Sequence, residues 1–400
     1  MAVTRDGVEP RIFNTGERAG YDTRFHLENA VRQAKERHLD EVLIVDADAH
    51  HLNEMTHFAQ IAKYIDDEVL RHEVFNGEAG KLMYPGFRSP QHQSMAGRLV
   101  RYRNEHLEKF EDASVHPEVE FTRKEMAAIG IDYQVVFPTA LLALGMHPTP
   151  FIETQLAWAY CRWLTEEILP ASPHIKTMIY LPMNQPDECL RFVEQFGENP
   201  GVVGFMVTSA RYRPVHANEY MRLYRAIEER GLPLSFHAIY HQQERMFEGM
   251  NKFLSVHALG FIFYNLVHIT NLVINGIPER FPGLKLLWIE SGLAWIPFLM
   301  QRLDNEYMMR SSEAPLLKRL PSEYMREMYY TTQPIENQDL AALELTMRMI
   351  NAETQLLFSS DYPHWDFNLP STIYDLPFLG DEAKRRILGQ NAYELFRLDR

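Results

Sequence analysis

The stretch Val42–Glu54, "VLIVDADAHHLNE", begins as a buried strand and then breaks into acids and imidazoles. "VLIVD" runs apolar into Asp46, and Asp48, His50, His51 and Glu54 follow directly. An apolar run ending in nitrogen and oxygen donors has the pattern of a strand that delivers ligands to a metal ion. Asp48 and His50 stand two residues apart, so in an extended segment both side chains leave the same face and can grip one ion. The same alternation turns His51 away. Alone, an Asp-x-His is as well explained by a polar loop after a strand, so the reading depends on partners elsewhere in the chain.

The rest of the chain repeats the strand signal. Runs rich in β-branched or aromatic residues recur as "VLIVD" (42–46), "DYQVVFP" (132–138), "IKTMIYLP" (175–182), "GVVGFMV" (201–207), "LPLSFH" (232–237), "LKLLWIE" (284–290), "MYYTT" (328–332) and "QLLFSSD" (355–361). Helical segments lie between them. In "HANEYMRLYRAIEERGLPLSFH", Met221, Leu223, Tyr224 and Ile227 form an apolar stripe and Gly231 stops the helix before the next strand. Gly197 takes the stopping role in "PDECLRFVEQFGENPGVVGF". Strand, helix, glycine, strand is the grammar of parallel βαβ units, and eight strands suit a closed (β/α)8 barrel of the TIM type better than an open sheet.

Around this α/β barrel, assigned to residues 41–400, the sequence predicts an N-terminal extension over 1–40 that ends in a short charged helix. The region 55–128 is too long for one crossover helix and is read as an insertion over a barrel face. A second insertion follows the fifth strand, where "MFEGMNKFLSVHALGFIFYNLVHITNLVINGI" is apolar enough for a buried helix or an oligomer interface. His257 and His268 interrupt it and argue against membrane insertion.

Composition excludes several partners. The chain has 400 residues, 46% hydrophobic and 24% charged, enough for a large core. Asp and Glu outnumber Lys and Arg by 54 to 40, a formal charge of −14, which disfavours nucleic acid and anionic membranes as partners. Two cysteines, Cys161 and Cys189, make neither a disulfide framework nor a thiolate metal site and are read as buried thiols. The polar N-terminus has no apolar signal core, so a cytoplasmic location is expected.

Barrel chemistry sits at the C-terminal strand ends. The first run ends in Asp46, Asp48 and His50, the fifth in His237 with His241, the sixth in Glu290, and the eighth in Asp361 with His364 and Asp366. Singly, His237 reads as a hydrogen-bonded core imidazole and Asp361 as a cap before Pro363; together they fall where one mouth would gather them. Imidazole and carboxylate without thiolate fit Zn²⁺, Mn²⁺ or Fe²⁺. Arg88, Arg211, Arg213, Tyr240, His241, His364 and Trp365 lie near strand ends or the long insertion. Of these His241 and His364 are the leading pocket candidates, with Tyr240 and with Arg211 as a fork for a substrate carboxylate.

The segments "VDADAHHLNE", "SFHAIYH", "FPGLKLLWIESGLAWIPFLMQRLD", "LLFSSDYPHWD" and "ILGQNAYELFRL" together resemble the amidohydrolase superfamily, in its amidohydrolase-2 branch. That branch includes aminocarboxymuconate semialdehyde, resorcylate and carboxyvanillate decarboxylases. The resemblance implies one divalent ion held by Asp48, His50, His237 and Asp361, and a homodimer as the common assembly. Where many relatives carry a catalytic His in a stretch resembling "HGGxxxP", this chain has "ESGLAWIP" with Glu290. It also has Asp48 where the superfamily often has His.

The resemblance favours a non-oxidative decarboxylase of a small hydroxyaromatic or enol-like acid, with His237 at the ion and with Asp361 or a group near Glu290 supplying the proton. The alternative is a hydrolase of a C–N, C–O or activated C–C bond that uses a metal-activated water, with Asp361 as base and Glu290 protonating the leaving group or holding the water. A barrel that binds a ligand without turning it over is the third class.

Overall fold

The computed structural model describes residues 23–51, 54–74, 114–210, 213–239, 247, 249–250, 253–364 and 366–398. Eight parallel strands follow one another in chain order: β1 (Val45–His50), β2 (Tyr133–Phe137), β3 (Ile175–Tyr180), β4 (Val202–Ser209), β5 (Leu234–Ala238), β6 (Leu286–Ile289), β7 (Tyr329–Thr331) and β8 (Leu356–Leu357). Each overlaps one of the eight apolar runs, although β1 starts later than its run and extends through Asp48 to His50. The sheet curls into a nearly closed barrel. Across its seam Ala47 N–H donates to Phe358 O (2.9 Å), Asp361 N–H to Asp48 O (2.8 Å) and His50 N–H to Tyr362 O (2.8 Å).

Helices wrap the strands: α1 (Thr23–Glu36), α2 (Pro117–Ile129), α3 (Pro150–Trp163), α4 (Pro186–Phe196), α5 (Met221–Arg230), α6 (Phe253–Ile274), α7 (Trp295–Arg310), α8 (Leu340–Met349) and α9 (Asn391–Phe396). Leu223, Tyr224 and Ile227 of α5 are fully buried. Gly231 ends that helix in the left-handed region (φ 62°), where a side chain would be strained. Gly197 ends α4 differently, in right-handed backbone; a Cβ there would meet Val193 O at 2.6 Å.

Two expected boundaries move. The last part of the region 55–128 is α2, the ordinary crossover helix into β2, with Pro117 at its first turn and Gly130 closing it. After β5, α6 is the crossover helix itself and not an addition to one. It is long and apolar enough to cross a membrane by length and composition. Its buried side, with Val256, Tyr264, Ile269, Leu272 and Val273, lies against β4 and β5. The histidine there has a structural use: His268 Nε2 bonds to Ala210 O at 2.9 Å. Elsewhere on the helix Leu254 and Leu259 are exposed. In the N-terminal region α1 lies along α2, and Arg37 just beyond it pairs with Asp375 at 2.6 Å.

The C-terminal "ILGQNAYELF" packs against β1 and β8 at the barrel seam. Ile387 O accepts from Phe358 N–H (2.9 Å), and Asn391 Nδ2 donates to Leu356 O (2.9 Å) at the start of β8. Gly389 lies against the backbone before β1, where a Cβ would meet Leu43 O at 2.1 Å. Gly389→Ala is therefore expected to destabilise by about 1–3 kcal/mol through overpacking, read as a lower denaturant midpoint with an unchanged slope.

Glu153, on α3, is a buried carboxyl that accepts from Asn184 Nδ2 at 2.7 Å. Burial pushes its pKa up to about 8 from an ordinary 4.5. The native state thus keeps a proton that the unfolded chain loses. The group's contribution is complete below 4.5 and is lost as pH rises to about 8. Glu153→Gln keeps the Asn184 bond and removes the titration. Denaturant titrations across this range are expected to show a shallower decline for the variant, which should exceed the wild type above pH 8.

Candidate metal and catalytic centre

Asp46, Asp48 and His50 alternate along β1, whose register with β2 shifts between Asp46 and Ala49. His237 comes from β5 and Asp361 follows β8. All four proposed ligands, Asp48, His50, His237 and Asp361, are fully buried. Asp48 Oδ1 lies 3.2 Å from His237 Nε2 and 3.5 Å from His50 Nε2, and His50 Nε2 lies 3.2 Å from Asp361 Oδ1. These separations match the edges of a coordination shell with bonds of about 2.0–2.2 Å.

Both imidazoles are oriented from behind. His50 Nδ1 contacts Pro138 O at 2.8 Å and His237 Nδ1 contacts Ala238 O at 3.0 Å. A carbonyl only accepts, so each Nδ1 carries the hydrogen and each Nε2 points into the site. Asp48 Oδ2, Asp361 Oδ2 and His50 Nε2 are buried without a hydrogen-bond partner. Three orphaned donor atoms around one point, in a region that excludes water, fit a single divalent ion.

Electrostatics agree. Burial opposes charge at Asp48, but the facing His237 and His50 outweigh it and hold the carboxyl well below the usual range. Burial likewise opposes charge on His50, yet Asp361 and Asp48 push it up to about 10. Against its own burial, Asp361 is held down by His364 and His50. Anions and imidazoles bunched this closely demand positive charge, from protons or from a metal that displaces them.

Glu290 differs. Burial first, then the negative charges of Asp361, Asp48 and Asp366, raise it well above the ordinary carboxyl value. Its Oε2 lies 3.6 Å from His237 Nδ1. Arg302, on α7, pairs with Glu306 at 3.0 Å. Glu290 (φ 57°) and Asp361 (φ 58°) both sit in the left-handed region, a strain of roughly 1–3 kcal/mol each that surrounding bonds must impose. For Asp361 these are its N–H to Asp48 O and the His364 contact; for Glu290, its N–H to Thr331 Oγ1 at 3.1 Å.

His364 touches the centre directly. Its Nδ1 is 2.7 Å from Asp361 Oδ1, its ring lies 4.0 Å from that of His50, and its Nε2 is 3.4 Å from Thr139 Oγ1. It also completes a second candidate donor group with His50 and Asp361. Arg211, Tyr240 and His241, with Arg88 and Trp365, lie outside the described residues. Arg213 is exposed and pairs with Glu219. His51 turns outward, as its register expects, and meets Tyr160 OH at 3.0 Å. Asp46 faces the interior without joining either donor group; Ser360 and Gln134, which bind it, carried no sequence signal. His257, on α6, approaches Asp366 at 3.9 Å, a contact that spacing alone does not show.

A family model described as amidohydrolase matches residues 22–398. The chain belongs to this amidohydrolase family. Among characterised proteins it is similar to the gamma-resorcylate decarboxylase of Rhodococcus jostii (strain RHA1), 22% identical over 259 residues, 59% of this chain and 75% of that protein. The amidohydrolase barrel also resembles the crystal structure of 5-carboxyvanillate decarboxylase from Sphingomonas paucimobilis (TM-score 0.63, 20% identity, 89% of this chain and 99% of that one). A dihydroxybenzoic acid decarboxylase from Polaromonas sp. JS666, solved with manganese and 2-nitroresorcinol, aligns with TM-score 0.60 and 19% identity over 90% of this chain and 97% of that one.

The purified amidohydrolase is expected to hold about one divalent ion per chain. Chelation should lower its unfolding temperature and re-addition of the ion should restore it. Elemental analysis of Asp361→Asn should show that ion largely lost. Full occupancy in this variant would contradict the donor set.

Proposed function

We propose that this amidohydrolase is a metal-dependent, non-oxidative decarboxylase of a small hydroxyaromatic or enol-like carboxylic acid. The observation that carries the reading is the placement of two carboxyls at one buried site: Asp361, 3.2 Å from His50 Nε2 and drawn down by His364 and His50, and Glu290, 3.6 Å from His237 Nδ1 and pushed up by burial. Such a pair separates an anion that can hold an ion from an acid that can give up a proton. The relatives named above, decarboxylases of hydroxyaromatic acids, support the same reaction class.

When bound, the ion supplies Lewis-acid stabilisation of charge on a substrate oxygen beside the scissile bond. Asp48, His50, His237 and Asp361 would hold it. Mn²⁺ is the proposed ion over Zn²⁺ or Fe²⁺: two carboxylates among four donors make a hard, oxygen-rich shell, and the similar Polaromonas structure contains manganese. Glu290 delivers its proton to the ring carbon that bears the carboxyl group. The C–C bond then breaks, its electron pair returns to the ring, CO₂ leaves, and solvent reprotonates Glu290. His364 keeps Asp361 ionised and oriented, and the buried walls exclude water.

The thiols do not compete for this chemistry, because burial raises both Cys161 and Cys189. They are consistent with the reducing cytoplasm proposed for the protein. A homodimer is the proposed assembly, and the exposed Leu254 and Leu259 of α6 are consistent with it.

Incubation of the Mn²⁺-loaded enzyme with carboxyl-labelled dihydroxybenzoates is expected to release labelled CO₂, and D₂O should leave deuterium on the vacated ring carbon. Glu290→Gln should lower kcat by about 10²–10⁴-fold. Cleavage of amides or esters with no CO₂ from any such acid would replace this reading with hydrolysis, in which Asp361 serves as base.

A further inference from the structure

Asp46 is fully buried on β1, one inward-facing position before Asp48, and belongs to neither candidate donor group. Its carboxylate nonetheless accepts four contacts. Oδ1 takes Ser360 N–H (2.8 Å) and Asp48 N–H (3.3 Å), and Oδ2 takes Ser360 Oγ–H (2.5 Å) and Gln134 Nε2–H (3.2 Å). Each partner leads to a ligand. Ser360 immediately precedes Asp361, the Asp48 N–H belongs to a ligand, and Gln134 lies on β2, which runs on to the Pro138 carbonyl that orients His50.

The β7–β8 ladder ends at Thr331 and Leu357, so beyond it the post-β8 segment is paired on its β1 side, through the Ala47–Phe358, Asp48–Asp361 and His50–Tyr362 backbone bonds, and the Asp46 side chain adds to these. Ser360 and Asp48 stand on opposite sides of the barrel seam, and Asp46 is the side chain that bonds to both. Without it, two backbone N–H groups, the Ser360 hydroxyl and an amide would lose this acceptor at the base of the site. The backbone would shift to relieve them, and the Asp48–Asp361 spacing would shift with it.

We propose that Asp46 is a positioning residue that clamps the β1 and post-β8 segments at the spacing one divalent ion requires. The inference rests on the ion-binding reading of the site. Its test is calorimetric titration of Mn²⁺ alone into metal-free wild type, Asp46→Ala and Asp46→Asn, with the unfolding midpoint of each metal-free protein and the paramagnetic resonance spectrum of the bound Mn²⁺. Asp46→Ala is expected to bind Mn²⁺ about 10–100-fold more weakly, with a broadened spectrum. Asp46→Asn should restore affinity to within several-fold, because its carbonyl still accepts both backbone N–H groups and its amide can meet Gln134 Oε1, which has no partner.

A lowered midpoint in Asp46→Ala with unchanged affinity and spectrum would make Asp46 merely structural and overturn the proposal while the ion site stands. Wild type that takes up no Mn²⁺ would remove both. Should Asp46→Ala fail to fold, Ser360→Ala deletes only the Oγ–Oδ2 bond; several-fold weaker binding supports the clamp, and unchanged binding overturns it.

Discussion

Two carboxylates that are 313 residues apart, Asp48 and Asp361, are buried together across two imidazoles where the barrel closes. Like charges in a water-excluding interior repel strongly, so this arrangement exists only because counter-charge is available there. His50 sits between the two acids, and protons or a divalent ion complete the neutralisation. Much else in the fold follows from holding this convergence in place: the Pro138 and Ala238 carbonyls behind the rings, the left-handed backbone at Asp361, and the Asp46 contacts below.

The same crowding sets the chemistry. Burial, and then the negative charges already present, make a further ionisation costly, so Glu290 is pushed up from the ordinary carboxyl value. Asp361, beside His364 and His50, moves the other way. One cluster thus shifts two carboxyls in opposite directions without any residue outside its ordinary chemical repertoire. Relatives with an imidazole at the Glu290 position would carry a donor whose neutral form also accepts; a protonated carboxyl in this position is a donor of different strength and geometry.

Stability and function meet at the seam. A ladder of only two residues in β8 leaves the backbone free to leave the strand path and point Asp361 inward. The structure compensates with side-chain bonds above and with Asn391 and Gly389 below. Strain at Glu290 and Asp361 is tolerated because N–H groups and neighbours determine both positions more than once.

The eight strands, and the donor residues that converge at their C-terminal ends, were legible in the sequence for a physical reason. Parallel strands buried on both faces read as apolar runs, and the donors stand just where those runs end. The alternation that separates His50 from His51 is local geometry, and it held. Other features depended on partners distant in the chain. That α6 is the crossover helix, that Asp46 serves the seam, and that His364 lies against His50 are consequences of barrel closure, which no local pattern encodes. The opposite shifts of Glu290 and Asp361 are likewise a product of tertiary structure. A carboxyl's charge is set by burial and by neighbouring charges, and both exist only once the chain has folded.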